Sequence, residues 1–214
     1  PSLIILYGGI MLSETRFDIC NKALVLVGAN IITSFEEATT ESTVAGQLYE
    51  STLEAMLTRI RWRFATKQVQ LTKLAINPLG RFSASYQLPA DALLIHTVTV
   101  NNNVIAYDRY GDKIFADTGS NDTLICDYTF QTSEAEFPPY FKQCMVFELA
   151  SLFAGAIARN DTLSELYRNR ALGQIALAKS TDGQAQTTKR MDVNRIRNRR
   201  NRTHFNNVNA TVSS

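Results

Sequence analysis

The sequence predicts an α+β protein, an antiparallel helical bundle with an inserted small antiparallel β-sheet and an extended C-terminal tail. Over residues 14–77 and 139–180 apolar side chains recur every three to four positions, the spacing of one face of an α-helix. Between these parts apolar and polar residues alternate and β-branched side chains are frequent, as in strands. The predicted segments are an N-terminal arm (1–12), two helical parts (13–80 and 133–180), a sheet (81–132) and a tail (181–214).

The first helix is predicted over residues 14–27. Ser13 is a candidate N-cap, because its hydroxyl can accept a hydrogen bond from a free backbone N–H of the first turn. Gly28 is a good terminator, since glycine readily adopts the left-handed conformation in which many helices end.

A second and much longer helix is predicted over residues 40–77. Apolar residues recur at helical spacing from Val44 to Leu74, and Pro78 would end the helix. At 1.5 Å per residue it would be about 55 Å long. That length exceeds what a core of this size needs, and it favours a mechanical or assembly role over a chemical one. The core residues predicted in this segment are Leu53, Leu57, Trp62 and Phe64.

The inserted sheet is predicted as two hairpins. Residues 96–100 and 104–107 are rich in β-branched and aromatic side chains, and three asparagines at 101–103 would form the turn between them. Residues 113–116 and 123–128 have the same character and would form the second hairpin.

Two further helices are predicted after the sheet. Residues 139–159 begin with Pro139, which a first helical turn tolerates, and they are apolar nearly all round, so this should be the central buried helix. Its predicted core residues include Phe147 and Phe153. Thr162-Leu163-Ser164-Glu165 has the form of a capping box, which predicts a fourth helix ending near residue 180.

Cysteine usage and hydropathy bear on the compartment. Cys20, Cys126 and Cys144 are far apart and lack a CxxC pattern, so we expect reduced, buried thiols, as in a protein made in the cytoplasm. No apolar stretch reaches the roughly 18 residues of a membrane-spanning helix, and no membrane anchor is predicted. Residues 1–10 are apolar but lack the basic start of a signal peptide, and Met11 is a natural start before the first helix.

The search for catalytic chemistry is negative. No HExxH, P-loop, GxSxG, GxGxxG or paired-carboxylate pattern occurs, so the sequence predicts no enzyme activity, no metal and no cofactor. His96 falls in a predicted strand, where a structural role is favoured, and His204 falls in the tail. Trp62 between Arg61 and Arg63 could stack on a nucleic-acid base. Packing against neighbouring helices is favoured, because arginines at alternate positions do not share one face of a helix.

The C-terminal tail concentrates positive charge. Over residues 189–202, seven basic residues stand against the single acidic Asp192, a net charge of +6; because the whole chain carries +2, the rest carries −4. Apolar residues are interleaved with the basic ones. The candidate partner-binding residues are Lys189, Arg190, Met191, Arg195, Ile196, Arg197, Arg199, Arg200, Arg202 and Phe205.

Three interpretations of this tail stay open. It can dock in an acidic protein groove with apolar pockets, where guanidinium groups pair with carboxylates, and the interleaved apolar residues favour this interpretation. It can bind nucleic-acid phosphates, with an affinity that falls steeply with salt. It can also be a merely solvated segment.

Several blocks of the sequence resemble one protein family. They are Ile19-Cys20-Asn21-Lys22-Ala23-Leu24 through Leu26-Val27-Gly28, residues 32–37, Leu48-Tyr49, Leu53, Leu57, Trp62-x-Phe64-Ala65, Leu71 and Tyr86-x-Leu88-Pro89-x-Asp91. In this order they resemble the head-to-tail adaptor family of short-tailed bacteriophages, often called tail tubular protein A. The similarity covers most of residues 11–180 and rests on the order of the blocks, since no single one is diagnostic.

The resemblance implies a structural virion protein. Members of that family form a ring, typically a dodecamer, that joins the portal to the tubular tail nozzle around the DNA channel. The helices would then form the ring body, and the tail would reach toward the portal. The ring would be added in the host cytoplasm after genome packaging and serve as a conduit for ejection, with DNA passing through without sequence-specific binding. Tail fibres are a further expected partner.

Overall fold

The computed structural model describes residues 14–75, 78–119 and 121–184. Within them the chain is α+β, with four α-helices and two small antiparallel sheets. The chain divides into two units, Pro1–Gly183 and Gln184–Ser214, and the architecture below is that of the first.

Helix α1, Arg16–Val27, begins two residues later than predicted. Its N-cap is Thr15, whose side chain accepts a hydrogen bond from the Asp18 N–H while the Asp18 carboxylate accepts one from the Thr15 N–H at 2.8 Å. This reciprocal capping box satisfies free donors of the first turn better than a lone serine can, and it explains the corrected start. The predicted end is confirmed, since Gly28 is left-handed at φ 74° and its N–H bonds back into the helix.

Helix α2, Thr40–Arg59, is 20 residues long, so the prediction of one helix over 40–77 is wrong. Thr39 caps its N-terminus, as its side chain accepts a hydrogen bond from the Ser42 N–H at 3.2 Å. At the other end Ile60 turns to an extended conformation, φ −138° and ψ 148°. Strand β1, Thr66–Gln70, lies within the stretch after Arg59 that was predicted to be helical.

Tertiary pairing explains why the helix stops. Residues 60, 64 and 71 keep the helical spacing, but β1 contains the β-branched Thr66 and Val69 and lies against β7, Leu124–Phe130, in antiparallel register. That pairing satisfies the β1 backbone, and residues 64 and 71 pack in two different cores. The spacing of apolar residues over so short a run cannot distinguish a continuing helix from a strand.

The remaining strands are β2 (Ala84–Gln87), β3 (Ala92–Val100), β4 (Asn103–Val104), β5 (Tyr107–Tyr110) and β6 (Lys113–Ala116). One sheet has the strand order β1-β7-β3-β4 and the other β2-β6-β5, with every neighbouring pair antiparallel. The first predicted hairpin is confirmed as β3-β4, but its returning strand ends at Val104, and Tyr107 belongs to β5 in the other sheet. Its turn contains Asn101 and Asn102, both with positive φ, which asparagine tolerates better than most residues.

The second predicted hairpin, pairing 113–116 with 123–128, is wrong. β6 pairs with β5 and β2, whereas β7 lies between β1 and β3 in the other sheet. A two-residue turn containing Gly111, at φ 62°, joins β5 to β6. This short loop is entropically cheaper to close than the longer connection from β6 to β7, and glycine supplies the left-handed backbone that it needs.

Helices α3, Pro139–Ala156, and α4, Asp161–Gln184, follow a short 3-10 helix, Glu134–Glu136. α3 is buried on most sides, as predicted for the central helix. The predicted capping box of α4 is wrong, because Asn160 supplies the cap: its side-chain oxygen accepts the Leu163 N–H at 3.0 Å. α4 also continues past the predicted end near residue 180.

Two apolar cores result. The helical core contains residues of all four helices together with Trp62 and Ala65. The sheet core takes residues from both sheets, among them Tyr86, Ile114 and Cys126. Trp62 to Ala65 thus lies where the helical part of the chain passes into the sheet part. No helix within the described residues has the length and apolar character that a membrane span requires.

Candidate functional site

The structure places the predicted core residues in the helical core. Trp62, Leu57 and Phe153 are completely buried and Leu53 nearly so, while Phe64 and Phe147 are partly buried and pack against this core. The ten predicted partner-binding residues, Lys189, Arg190, Met191, Arg195, Ile196, Arg197, Arg199, Arg200, Arg202 and Phe205, lie outside the described residues. His204 and the N-terminal arm lie outside them as well.

Trp62 organises the junction between α2 and β1. Its indole N–H donates to the Met56 carbonyl at 2.8 Å and so satisfies one of the carbonyls left free at the end of α2. Its ring packs edge-on against Phe141, with ring centroids 5.2 Å apart, and is stacked with the Tyr140 ring at a centroid distance of 6.4 Å. The packing interpretation of Trp62 is therefore confirmed.

A buried carboxylate near the end of α4 contacts the same junction. Asp182, in the last turn of α4, is only 5% exposed. One of its oxygens accepts the Tyr140 hydroxyl at 2.7 Å, and the other accepts the Arg63 backbone N–H at 3.0 Å. Burial, with the Asp182 contact next, raises the pKa of Tyr140, so its hydroxyl stays protonated and can donate.

Asp182 and Tyr140 are not among the residues that the sequence pattern predicts. A faint signal existed, because the buried stripe of α4 runs through Tyr167, Ala171, Ile175 and Ala178, and residue 182 continues it at helical spacing. An acidic side chain at an apolar position, in a turn where the helix dipole disfavours negative charge, indicates a specific partner.

An open groove lies on the outer surface of the helical part. It has a volume of about 690 Å³ and is lined by apolar and polar side chains of α1 and α3 together with Arg170 of α4. Val25 is 62% exposed there. Its other apolar lining residues are Leu26, Val146 and Phe147. Exposed apolar surface of this kind is typical of a contact with another macromolecule.

Acidic residues beside the groove make the stability of the body depend on pH. The hydrogen bond from Lys22 holds the pKa of Glu14 below its ordinary value of 4.5. The hydrogen bond from the Thr15 backbone N–H likewise holds the pKa of Asp18 below its ordinary value of 3.8. A carboxyl with a lowered folded-state pKa stabilises the fold above its unfolded pKa, and this contribution is lost as pH falls through the folded value.

We therefore expect the melting temperature to fall on acidification through and below these ordinary carboxyl values. Glu14→Gln should flatten the acid limb of the profile, because the amide does not titrate, while Glu54→Gln on the exposed face of α2 should leave it unchanged. Thermal melts followed by circular dichroism across that pH range are the measurement. An acid limb that Glu14→Gln leaves as steep as in the wild type would contradict the assignment.

The other titratable candidates have structural surroundings. His96 has its Nε2 atom 2.8 Å from the Thr129 hydroxyl, and burial lowers its pKa. Cys20, Cys126 and Cys144 are buried thiols, as predicted, and burial raises their pKa to about 12, 11 and 12. Within the described part of the chain no three His, Cys, Asp or Glu side chains come together in a way that could hold a metal ion.

Comparisons with known proteins leave the family open. No protein-family model matches the chain. A search of curated proteins gives no significant match either.

Proposed function

We propose that this protein is a head-to-tail adaptor of a short-tailed bacteriophage. In this proposal the helices pack as an antiparallel bundle and form the body of a ring, typically of twelve copies. The ring joins the portal to the tail nozzle around the DNA channel, and DNA passes through it without sequence-specific binding. The basic tail docks on the portal.

One observation carries the proposal. Three of the blocks that resemble the adaptor family occupy joints of this fold. Gly28 ends α1 in the left-handed conformation, and the Trp62 block forms the passage from helices to sheets. In the third block, Asp91 accepts the Tyr128 hydroxyl at 3.2 Å after the turn at Pro89. Residues that fix chain direction define a fold more specifically than scattered apolar matches do.

The charge distribution and the apolar groove support the assembly role. A body of net charge −4 with a tail of +6 suits electrostatic docking between different components. In a ring, one surface of each subunit contacts a different surface of the next subunit. The exposed apolar side chains of the groove are suited to such a contact.

The decisive experiment mixes the purified protein with the portal protein of the same virion. Light scattering should show that the full chain joins the portal in multiple copies, and a chain ending at Gln184 should not join it. This end point keeps all of α4, including Asp182, so circular dichroism should give the same melting curve for both chains. Full attachment of the folded, shortened chain would contradict the role of the tail.

The runner-up interpretation is a nucleic-acid-binding protein that uses the same arginines on phosphates. A gel shift with unrelated duplex DNA across a salt series separates the two. Retention on DNA that weakens steeply with salt, together with indifference to the portal, would replace the adaptor proposal with this one.

A further inference from the structure

The buried Asp182 carboxylate is a charged group to which the proposed function assigns no role. It lies two residues before α4 ends at Gln184, so residues 181–184 of the predicted tail belong to α4 and the rest of the tail follows this helix in the chain. Its partners come from two distant parts of the chain, since Arg63 is 119 residues away and Tyr140 is 42 residues away. One side chain therefore ties the last turn of α4 to the link between α2 and β1 and to the first turn of α3.

Both donors come from residues near the end or the start of a neighbouring helix. The Arg63 N–H points to Asp182 rather than along a helix, because α2 stops at Arg59. Tyr140 lies in the first turn of α3, next to Pro139. A carboxylate accepts from both donors at once, with one oxygen for each.

Stability alone does not call for an acid at this position. The helix dipole disfavours negative charge in a last turn, and burial removes the carboxylate from water. A leucine would continue the buried stripe of α4 and avoid both penalties, at the cost of removing the acceptor of the Arg63 N–H and the Tyr140 hydroxyl. What leucine would lose is a defined arrangement of the helix end, because apolar packing is less directional than two charge-assisted hydrogen bonds.

We propose that Asp182 is a positioning residue for the tail, holding the last turn of α4 on the junction so that the tail starts from a fixed point of the body. This inference rests on the proposed function, in which the tail binds the portal. When the last turn is released, the chain is no longer held to the junction at residue 182, and the tail loses its fixed point of attachment. Its effective concentration at the portal falls, and portal binding weakens.

The test uses full-length chains and compares Asp182→Leu with Glu165→Gln, a control at an exposed acidic residue of α4. Asp182→Leu should stay folded, with a lowered melting temperature because the Arg63 N–H and the Tyr140 hydroxyl lose their shared acceptor, and it should bind the portal about tenfold more weakly. Tyr140→Phe keeps the ring and removes one donor, so it should weaken binding in the same direction. The double variant should bind no more weakly than Asp182→Leu alone, because both changes break one contact.

A second readout does not depend on the portal. Lys179 is exposed on α4 three residues before Asp182, and trypsin cleaves after lysine only where the helix opens. Asp182→Leu and Tyr140→Phe should both speed cleavage after Lys179, while Glu165→Gln should not. Cleavage at the wild-type rate in both variants would overturn the anchoring of the helix end.

The two readouts separate failure of this inference from failure of the proposed function. If the wild-type chain does not bind the portal but the variants are cleaved faster, Asp182 does hold the last turn of α4 and the adaptor role is wrong. If Asp182→Leu is folded and binds the portal as tightly as the wild type, the positioning role is overturned. Faster cleavage together with weaker portal binding supports both.

Discussion

Trp62→Ala is expected to lower the free energy of unfolding by about 3–5 kcal/mol, the range for truncating a large buried aromatic side chain. Trp62 is completely buried among Tyr140, Phe141 and Phe64, so its removal leaves a cavity lined by rings that cannot all close in. The Met56 carbonyl also loses its indole donor at the end of α2. Urea unfolding followed by far-ultraviolet circular dichroism measures the loss.

Trp62→Phe is the matched control, since it keeps an aromatic ring and removes the donor. Its expected cost is intermediate, because the Met56 carbonyl is unpaired but most apolar contacts remain. Val25→Ala on the exposed groove surface should change stability by less than about 0.5 kcal/mol. A Trp62→Ala chain that is no less stable than Val25→Ala would show that the junction does not depend on this ring.

Tyr86→Ala is expected to have a similar effect on the sheet core, again about 3–5 kcal/mol. Tyr86 is 1% exposed in β2, and its hydroxyl shares a hydrogen bond of 2.7 Å with the Thr118 hydroxyl. The ring packs among residues of both sheets, so its loss removes contacts that hold the sheets together. The measurement is the same urea titration, with the midpoint and slope compared between variants.

Tyr86→Phe isolates the hydroxyl from the ring. Only the hydrogen bond to Thr118 is lost, which costs about 1 kcal/mol. Equal losses for Tyr86→Phe and Tyr86→Ala would mean that the hydrogen bond, rather than the packed ring, contributes the stability at this position.

Local chemistry made several parts of the fold predictable. Gly28 marked the end of α1 because glycine readily adopts the left-handed backbone, and Pro139 marked the start of α3 because proline fixes φ near the helical value; neither effect needs a distant partner. The asparagine turn between β3 and β4 was predictable for the same reason. The all-round apolar character of α3 likewise indicated its burial.

Pairing between distant segments was not predictable in the same way. The expected helix over 40–77 failed because β1 gains its partner from β7, nearly 60 residues later. The prediction of the second hairpin paired β6 with β7 because they are close in sequence. In the structure the two strands belong to different sheets. Periodicity reports which faces are apolar, but the partner of a strand depends on the whole topology.

Four features were readable from the residues alone: the α+β class, the helix ends at Gly28 and Pro139, the burial of Trp62, and the separation of charge between body and tail. The tertiary structure alone decided that α2 ends at Arg59, that the strands form two sheets, and that Asp182 meets Tyr140 and the Arg63 backbone. The physical reason is the range of the interactions. Caps, turns and apolar faces act within a few residues, whereas strand pairing and a buried carboxylate depend on groups that only the folded chain brings together.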